Sequence, residues 1–138
     1  MKASVELIRK TNSYCVAKRK ERKKWNWIYG TVCVGVEDSS HKFKECSHSF
    51  KNENDFIYYP DLNSKLNKIG VIGQTQNGHC ILGYCAEPHA ANALLRRLNH
   101  ENFHVTNTSK FVFTKALRVR THQIVKYCDF CKRTFPQL

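Results

Sequence analysis

Three cysteines and one glutamate constrain this chain more than its hydrophobic pattern does. Cys85 stands two residues before Glu87, and Cys128 and Cys131 form a Cys-x-x-Cys pair close to the end of the sequence. For thiolates so far apart along the chain to share one Zn²⁺, the fold must bring two element starts to a common point. Three protein ligands leave the fourth position of a tetrahedral zinc to water, and the metal lowers that water's pKa towards neutrality. Glu87, beside a ligand, has the reach to carry that water's proton.

A chain of 138 residues suits one domain, 1–138, with a basic N-terminal segment over 1–24, and 41% hydrophobic residues can bury a core without disulfides. Lys and Arg number 23 against 11 Asp and Glu, a formal net charge of +12. That balance favours polyanionic partners, either nucleic acid or an anionic membrane surface. Seven cysteines cannot all pair internally, which points to a reducing compartment. The N-terminus lacks the apolar run of about 7–15 residues that a signal peptide needs, and no stretch reaches the roughly 18 apolar residues of a membrane span. A soluble protein is expected, cytoplasmic or delivered into a target cell's cytoplasm by some route other than a classical signal peptide.

Lys18, Arg19, Lys20, Arg22, Lys23 and Lys24, followed by Trp25, are the candidate nucleic-acid contacts, because cations meet phosphates and an exposed indole stacks on bases. In the competing reading, the aromatic residues after them open a core strand. Val32, Val34 and Val36 repeat every second residue, which predicts a strand over 28–36 with Cys33 on its other face. The polar interval 37–54 reads as a loop, and His41, Cys46 and His48 within it match no strong zinc-finger spacing. A short strand is expected at 56–59, 69–72 is a second short apolar run, and Asn77-Gly78 marks a turn.

After Glu87 the period changes to that of a helix. Ala90, Ala91, Ala93, Leu94, Leu95 and Leu98 make an apolar face, with Arg96 and Arg97 turned towards solvent or substrate. Pro88 suits the first turn if Cys85 lies near the N-cap, where unbonded amides and the helix dipole favour a thiolate. Residues 111–113 begin a strand, which 116–120 either continue or leave as an irregular crossing. A helix starting near Cys128 puts Cys128 and Cys131 almost on one face, since three residues advance nearly a full turn.

The stretch Cys85-Ala86-Glu87-Pro88-His89-Ala90-Ala91, followed by Cys128-Asp129-Phe130-Cys131, resembles the zinc-dependent cytidine deaminase-like superfamily, especially its divergent bacterial toxin domains. The likeness runs over 78–135. It implies an α/β fold, a mixed sheet flanked by helices, with zinc between the starts of two helices. It also implies Cys85, Cys128 and Cys131 as Zn²⁺ ligands and Glu87 as the proton shuttle. The implied reaction is hydrolysis of cytosine to uracil with release of ammonia, in DNA, RNA or a nucleotide.

Asn77 is similar to a substrate-binding asparagine found upstream of the motif in parts of that superfamily, although its neighbour Gly78 favours a plain turn. Arg96, Arg97, Arg118 and Arg120 are candidate phosphate contacts. Tyr127 stands where the superfamily commonly has proline, and only residues 132–138 follow Cys131. A shortened C-terminal part is therefore expected, with residues 37–72 completing the sheet or self-association covering an open edge.

One alternative uses His89. Four residues beyond Cys85, it can share that cysteine's helical face and close a Cys3His site with no water on the metal. The chain would then be a nucleic-acid-binding module with structural zinc. A Cys85–His89 nucleophile–base pair would leave Cys128 and Cys131 without a purpose.

Overall fold

A computed structural model describes residues 2–21, 31–38, 40, 42–49, 58–73, 75, 76 and 80–138. Arg22, Lys23, Lys24, Trp25, His41, Asn77 and His79 lie outside these residues, as does the start of the strand expected over 28–36.

Helix α1 (Val5–Lys20) begins where the Ser4 hydroxyl accepts the Leu7 amide at 3.1 Å and donates to the Glu37 carboxylate at 2.8 Å. Glu6 in its first turn and Lys18, Arg19 and Lys20 in its last complement the helix dipole. Only Leu7, Thr11 and Cys15 are buried on it, a stripe at four-residue spacing too narrow to stand out among so many charges. The first three candidate nucleic-acid contacts thus end a packed helix.

Strands β1 (Val32–Asp38) and β2 (Phe43–His48) form an antiparallel pair, Cys33 opposite His48 and Asp38 opposite Phe43. This corrects the loop reading of 37–54 at 37–38 and 43–48; 50–54 lie outside the described residues. The β2 sequence Phe-Lys-Glu-Cys-Ser-His has little strand propensity, and it is held by backbone pairing to β1, a case of tertiary context overriding local preference. The two faces of β1 divide as its alternation predicts. Val34 and Val36 join the main core with Ala90 and Leu94, while Cys33 packs with Cys15 and Val119 under α1. Gly35 permits that second contact: a Cβ there would come within 2.1 Å of Thr11 Oγ1 and 3.0 Å of Leu7 Cδ1.

Helix α2 (Pro60–Ile69) follows Tyr59, with Pro60 in its first turn and Leu62 and Leu66 buried. It takes in Ile69, the first residue of the short apolar run 69–72, because Leu62, Leu66 and Ile69 fall at helical spacing, and the chain turns beyond it. Tyr58 and Tyr59 lead into the helix rather than forming the strand expected at 56–59, whose first two residues are outside the described set. Strands β3 (Thr75–Gln76) and β4 (Cys80–Ile81) make a separate two-stranded sheet.

Helix α3 (Ala86–His100) buries Ala90, Ala91, Leu94, Leu95 and Leu98 against β1 and β2. After it come β5 (Phe111–Phe113), β6 (Ala116–Arg118), β7 (Ile124–Val125) and α4 (Asp129–Thr134). The main sheet runs β2-β1-β6-β7, with β5 also paired to β1. Thr114 links β5 and β6 to the centre, its amide donating to the Gly35 carbonyl and its hydroxyl accepting the Gly35 amide, both at 2.9 Å. The architecture is α/β, with α1 and α3 on opposite faces of a five-stranded sheet. All ladders among the described residues are antiparallel, so the parallel pairing of a mixed sheet is not seen among them. Among the described residues no helix is long and apolar enough to cross a membrane.

Candidate metal centre

Two helix starts meet at one point. Cys85 is the N-cap of α3 and Cys128 the N-cap of α4, both with extended backbone (φ −71° and −78°). Cys131 lies one turn into α4, on the side of Cys128. Cys85 Sγ and Cys128 Sγ are 3.3 Å apart, and all three sulfurs lie within 4.8 Å of one another. Zn–S bonds of about 2.3 Å in a tetrahedron place sulfurs about 3.8 Å apart, so the observed spacing brackets what zinc needs.

The charges of the cluster also ask for a cation. Contact with the Cys128 thiol, then burial and the charges of Cys128 and Glu87, push the Cys85 thiol upward against an opposing hydrogen bond with Cys131. Hydrogen bonds with Cys128 and Cys85, then burial, push Cys131 up as well. Three thiols this close cannot all ionise without a positive charge between them, and a dication supplies it while displacing their protons.

Glu87 is buried, and the Cys131 thiol faces its Oε2 at 3.8 Å. Burial raises its carboxyl to about 7 from the ordinary 4.5; its own amide at the helix start opposes the rise, the charge of Cys128 adds to it, and the Cys131 hydrogen bond lowers it again. That position belongs to the metal-free protein, and a dication among the thiols would favour the carboxylate.

Two tyrosines border the group. Tyr58 donates its hydroxyl to the Gly83 carbonyl and stacks on His89 at 5.7 Å between centroids. Its hydroxyl is pushed up by burial and by the charges of Cys85 and Cys131. The Tyr127 hydroxyl donates to the Thr114 carbonyl at 2.7 Å and is pushed up to about 12 by burial and then by Glu87 and Cys131. The sequence reading assigned neither a role. Adjacency to Cys128 was a signal for Tyr127, whereas Tyr58 reaches the site only through tertiary packing.

His89 stands outside the preformed donor group. Its Nδ1 lies 3.5 Å from the Tyr58 hydroxyl, and the donor group within 4.8 Å contains the three cysteines and not this histidine. Arg96 and Arg97 are exposed in the second half of α3, and at 1.5 Å per residue Arg97 is about 15 Å along the helix from Glu87. Arg97 pairs with Glu45 at 3.2 Å and lies 4.8 Å from the Phe43 ring centroid, an engagement that ties α3 to β2. Arg118 is opposite Val32, on the sheet face that carries α3, and Arg120 is exposed in the turn after β6. Lys18 pairs with Glu21 at 3.1 Å, and Arg19 holds the Val119 carbonyl at 2.8 Å and His122 Nδ1 at 3.1 Å. Lys20 is exposed. The structure therefore gathers Cys85, Glu87, Cys128 and Cys131, and leaves Arg96 and Arg97 elsewhere.

No family model, curated protein or solved structure matches this chain.

Proposed function

We propose that this protein is a zinc-dependent hydrolytic deaminase that converts cytosine to uracil in nucleic acid or a nucleotide. The observation that carries the reading is geometric: Glu87 is buried with its Oε2 3.8 Å from Cys131 Sγ, at the edge of a group of three thiols within 4.8 Å of one another. The position of two ligand cysteines at the starts of two helices agrees with what the resemblance implies.

When bound, zinc supplies Lewis acidity and a water in its fourth position. Glu87 would take one proton of the attacking water as the water oxygen adds to C4 of the base and hand it to the ring nitrogen. The same carboxyl would then carry the remaining proton of the added hydroxyl to the amine, which leaves as ammonia as the C4 carbonyl forms. Water consumed and ammonia released balance the reaction. The unbonded amides at the start of α3 soften the negative charge that three thiolates place around the metal. The excess of cations, +12 over the chain, supports a phosphate-bearing substrate over a free base.

The test is ammonia release by the zinc-loaded protein from cytidine, its nucleotides, single-stranded DNA, RNA and duplex DNA, with adenine counterparts alongside. Glu87→Gln should keep fold and zinc while losing activity by about 100-fold or more. Ammonia release at the original rate from a folded Glu87→Gln protein would remove Glu87 from the chemistry. Zinc binding with no release from any of these substrates would leave a structural metal instead.

A further inference from the structure

Two cavities meet at Tyr127, the residue before the ligand Cys128. One, of about 550 Å³, lies between α1 and the strands β5 to β7 and is rimmed by Lys2 and Lys115; the other, of about 290 Å³, lies along β5 and is rimmed by Lys110. Both are lined by Phe113 and Tyr127. Together they form a furrow along the side of β5 away from β1, where Tyr127 binds the Thr114 carbonyl and Gln137 binds the Phe111 carbonyl at 3.1 Å.

The lining combines apolar side chains, Ile8, Leu117 and Ile124 in the larger cavity, with three lysines. Lys2, Lys110 and Lys115 are exposed, and neither lining contains an Asp or Glu among the described residues. The ring of Tyr127 is half-buried and its hydroxyl is already committed, so what it offers a ligand is its face. Cations spaced along a furrow with an aromatic face between them fit a chain of phosphates carrying planar bases, since every base stacks and every linkage is anionic. An acidic peptide would answer the lysines but leave the ring without a planar partner.

We propose that this furrow binds single-stranded nucleic acid, with phosphates on Lys2, Lys110 and Lys115 and a base against Tyr127. The proposal rests on the deaminase reading for the reason a strand should pass the metal centre; the binding itself does not depend on catalysis. It also places the strand-binding surface beside the first half of α1 and along β5, away from the basic end of α1.

The test is fluorescence anisotropy of a labelled single-stranded oligonucleotide with the zinc-loaded full chain over a salt series. A Lys110→Ala/Lys115→Ala double variant should bind more weakly. Each phosphate neutralised on a single strand contributes about 0.7 to the slope of log affinity against log salt, so removing two lysines should lower that slope by about 1.4. Tyr127→Ala, which removes the ring, should bind about 5-fold or more weakly than the parent, and an abasic oligonucleotide should lose a similar factor against one with bases. Unchanged affinity and slope in the double variant overturn the proposal. Equal binding of abasic and ordinary strands overturns it in favour of a general polyanion groove. Because anisotropy needs no turnover, lysine-dependent binding without any ammonia release would reject the deaminase reading and leave the furrow standing.

Discussion

Replacing Glu87 with Gln should remove a pH-dependent instability from the metal-free protein. The carboxyl is buried beside three thiols, and the fold raises it to about 7 from the ordinary 4.5. Between those values the folded chain holds a proton that the unfolded chain has released. Stability from this group is therefore complete below pH 4.5 and is lost as pH rises through about 7. At about 1.36 kcal/mol for each tenfold change in proton affinity, the loss comes to about 3 kcal/mol. Set against a domain stability of about 5–15 kcal/mol, that is large enough to measure.

Urea denaturation at about pH 5 and about pH 8, with chelator and reductant present, gives the two unfolding free energies for each protein. The parent should lose about 3 kcal/mol more than Glu87→Gln over that interval. Differences in packing between the two side chains do not change with pH, and the other titrating groups are common to both proteins. Saturating zinc should shrink the gap, because a nearby dication favours the carboxylate. Parallel pH dependences in the metal-free pair would refute the argument that burial controls Glu87.

Gly35→Ala should destabilise the protein by about 1–3 kcal/mol, because its Cβ would meet Thr11 Oγ1 at 2.1 Å and the helix must move off the strand. An unchanged urea midpoint would contradict the close approach of α1 to β1. Cys128→Ser should weaken zinc binding by more than about 100-fold, exceeding the loss typical of a residue that only orients a ligand. Competition with a chromogenic chelator measures it, and affinity equal to the parent's would remove Cys128 from the ligand set.

The cluster of Cys85, Cys128 and Cys131 was legible in the sequence because two of the three stand at helix starts. A cysteine at each helix start, with a proline and a run of Ala and Leu after the first, specifies where each thiol sits, and three such thiols need one another or a metal. The valine alternation of β1 was legible because it is likewise a local pattern. Helix α1 was not, since Leu7, Thr11 and Cys15 carry its whole buried stripe and Thr11 is polar. Strand β2 has two apolar side chains, Phe43 and Cys46, and owes its state to its neighbour β1. The arginines show a different limit. Sequence proximity says nothing of distance along a helix: Arg97, on the helix that Cys85 opens, sits at the junction with Glu45 and Phe43. Tyr58 comes from a segment distant in sequence, and only the packing of Tyr58 on His89 brings it to the site.

The central claim is that three thiolates hold zinc with its fourth position open to water beside Glu87. X-ray absorption spectroscopy of the zinc-loaded parent and of His89→Gln reads that coordination sphere directly. Three sulfurs at about 2.3 Å and one light ligand, unchanged by the His89 substitution and exchangeable for an added anion, is the expected result. A fourth protein ligand that disappears in His89→Gln, or a zinc site with fewer than three sulfurs, would contradict it.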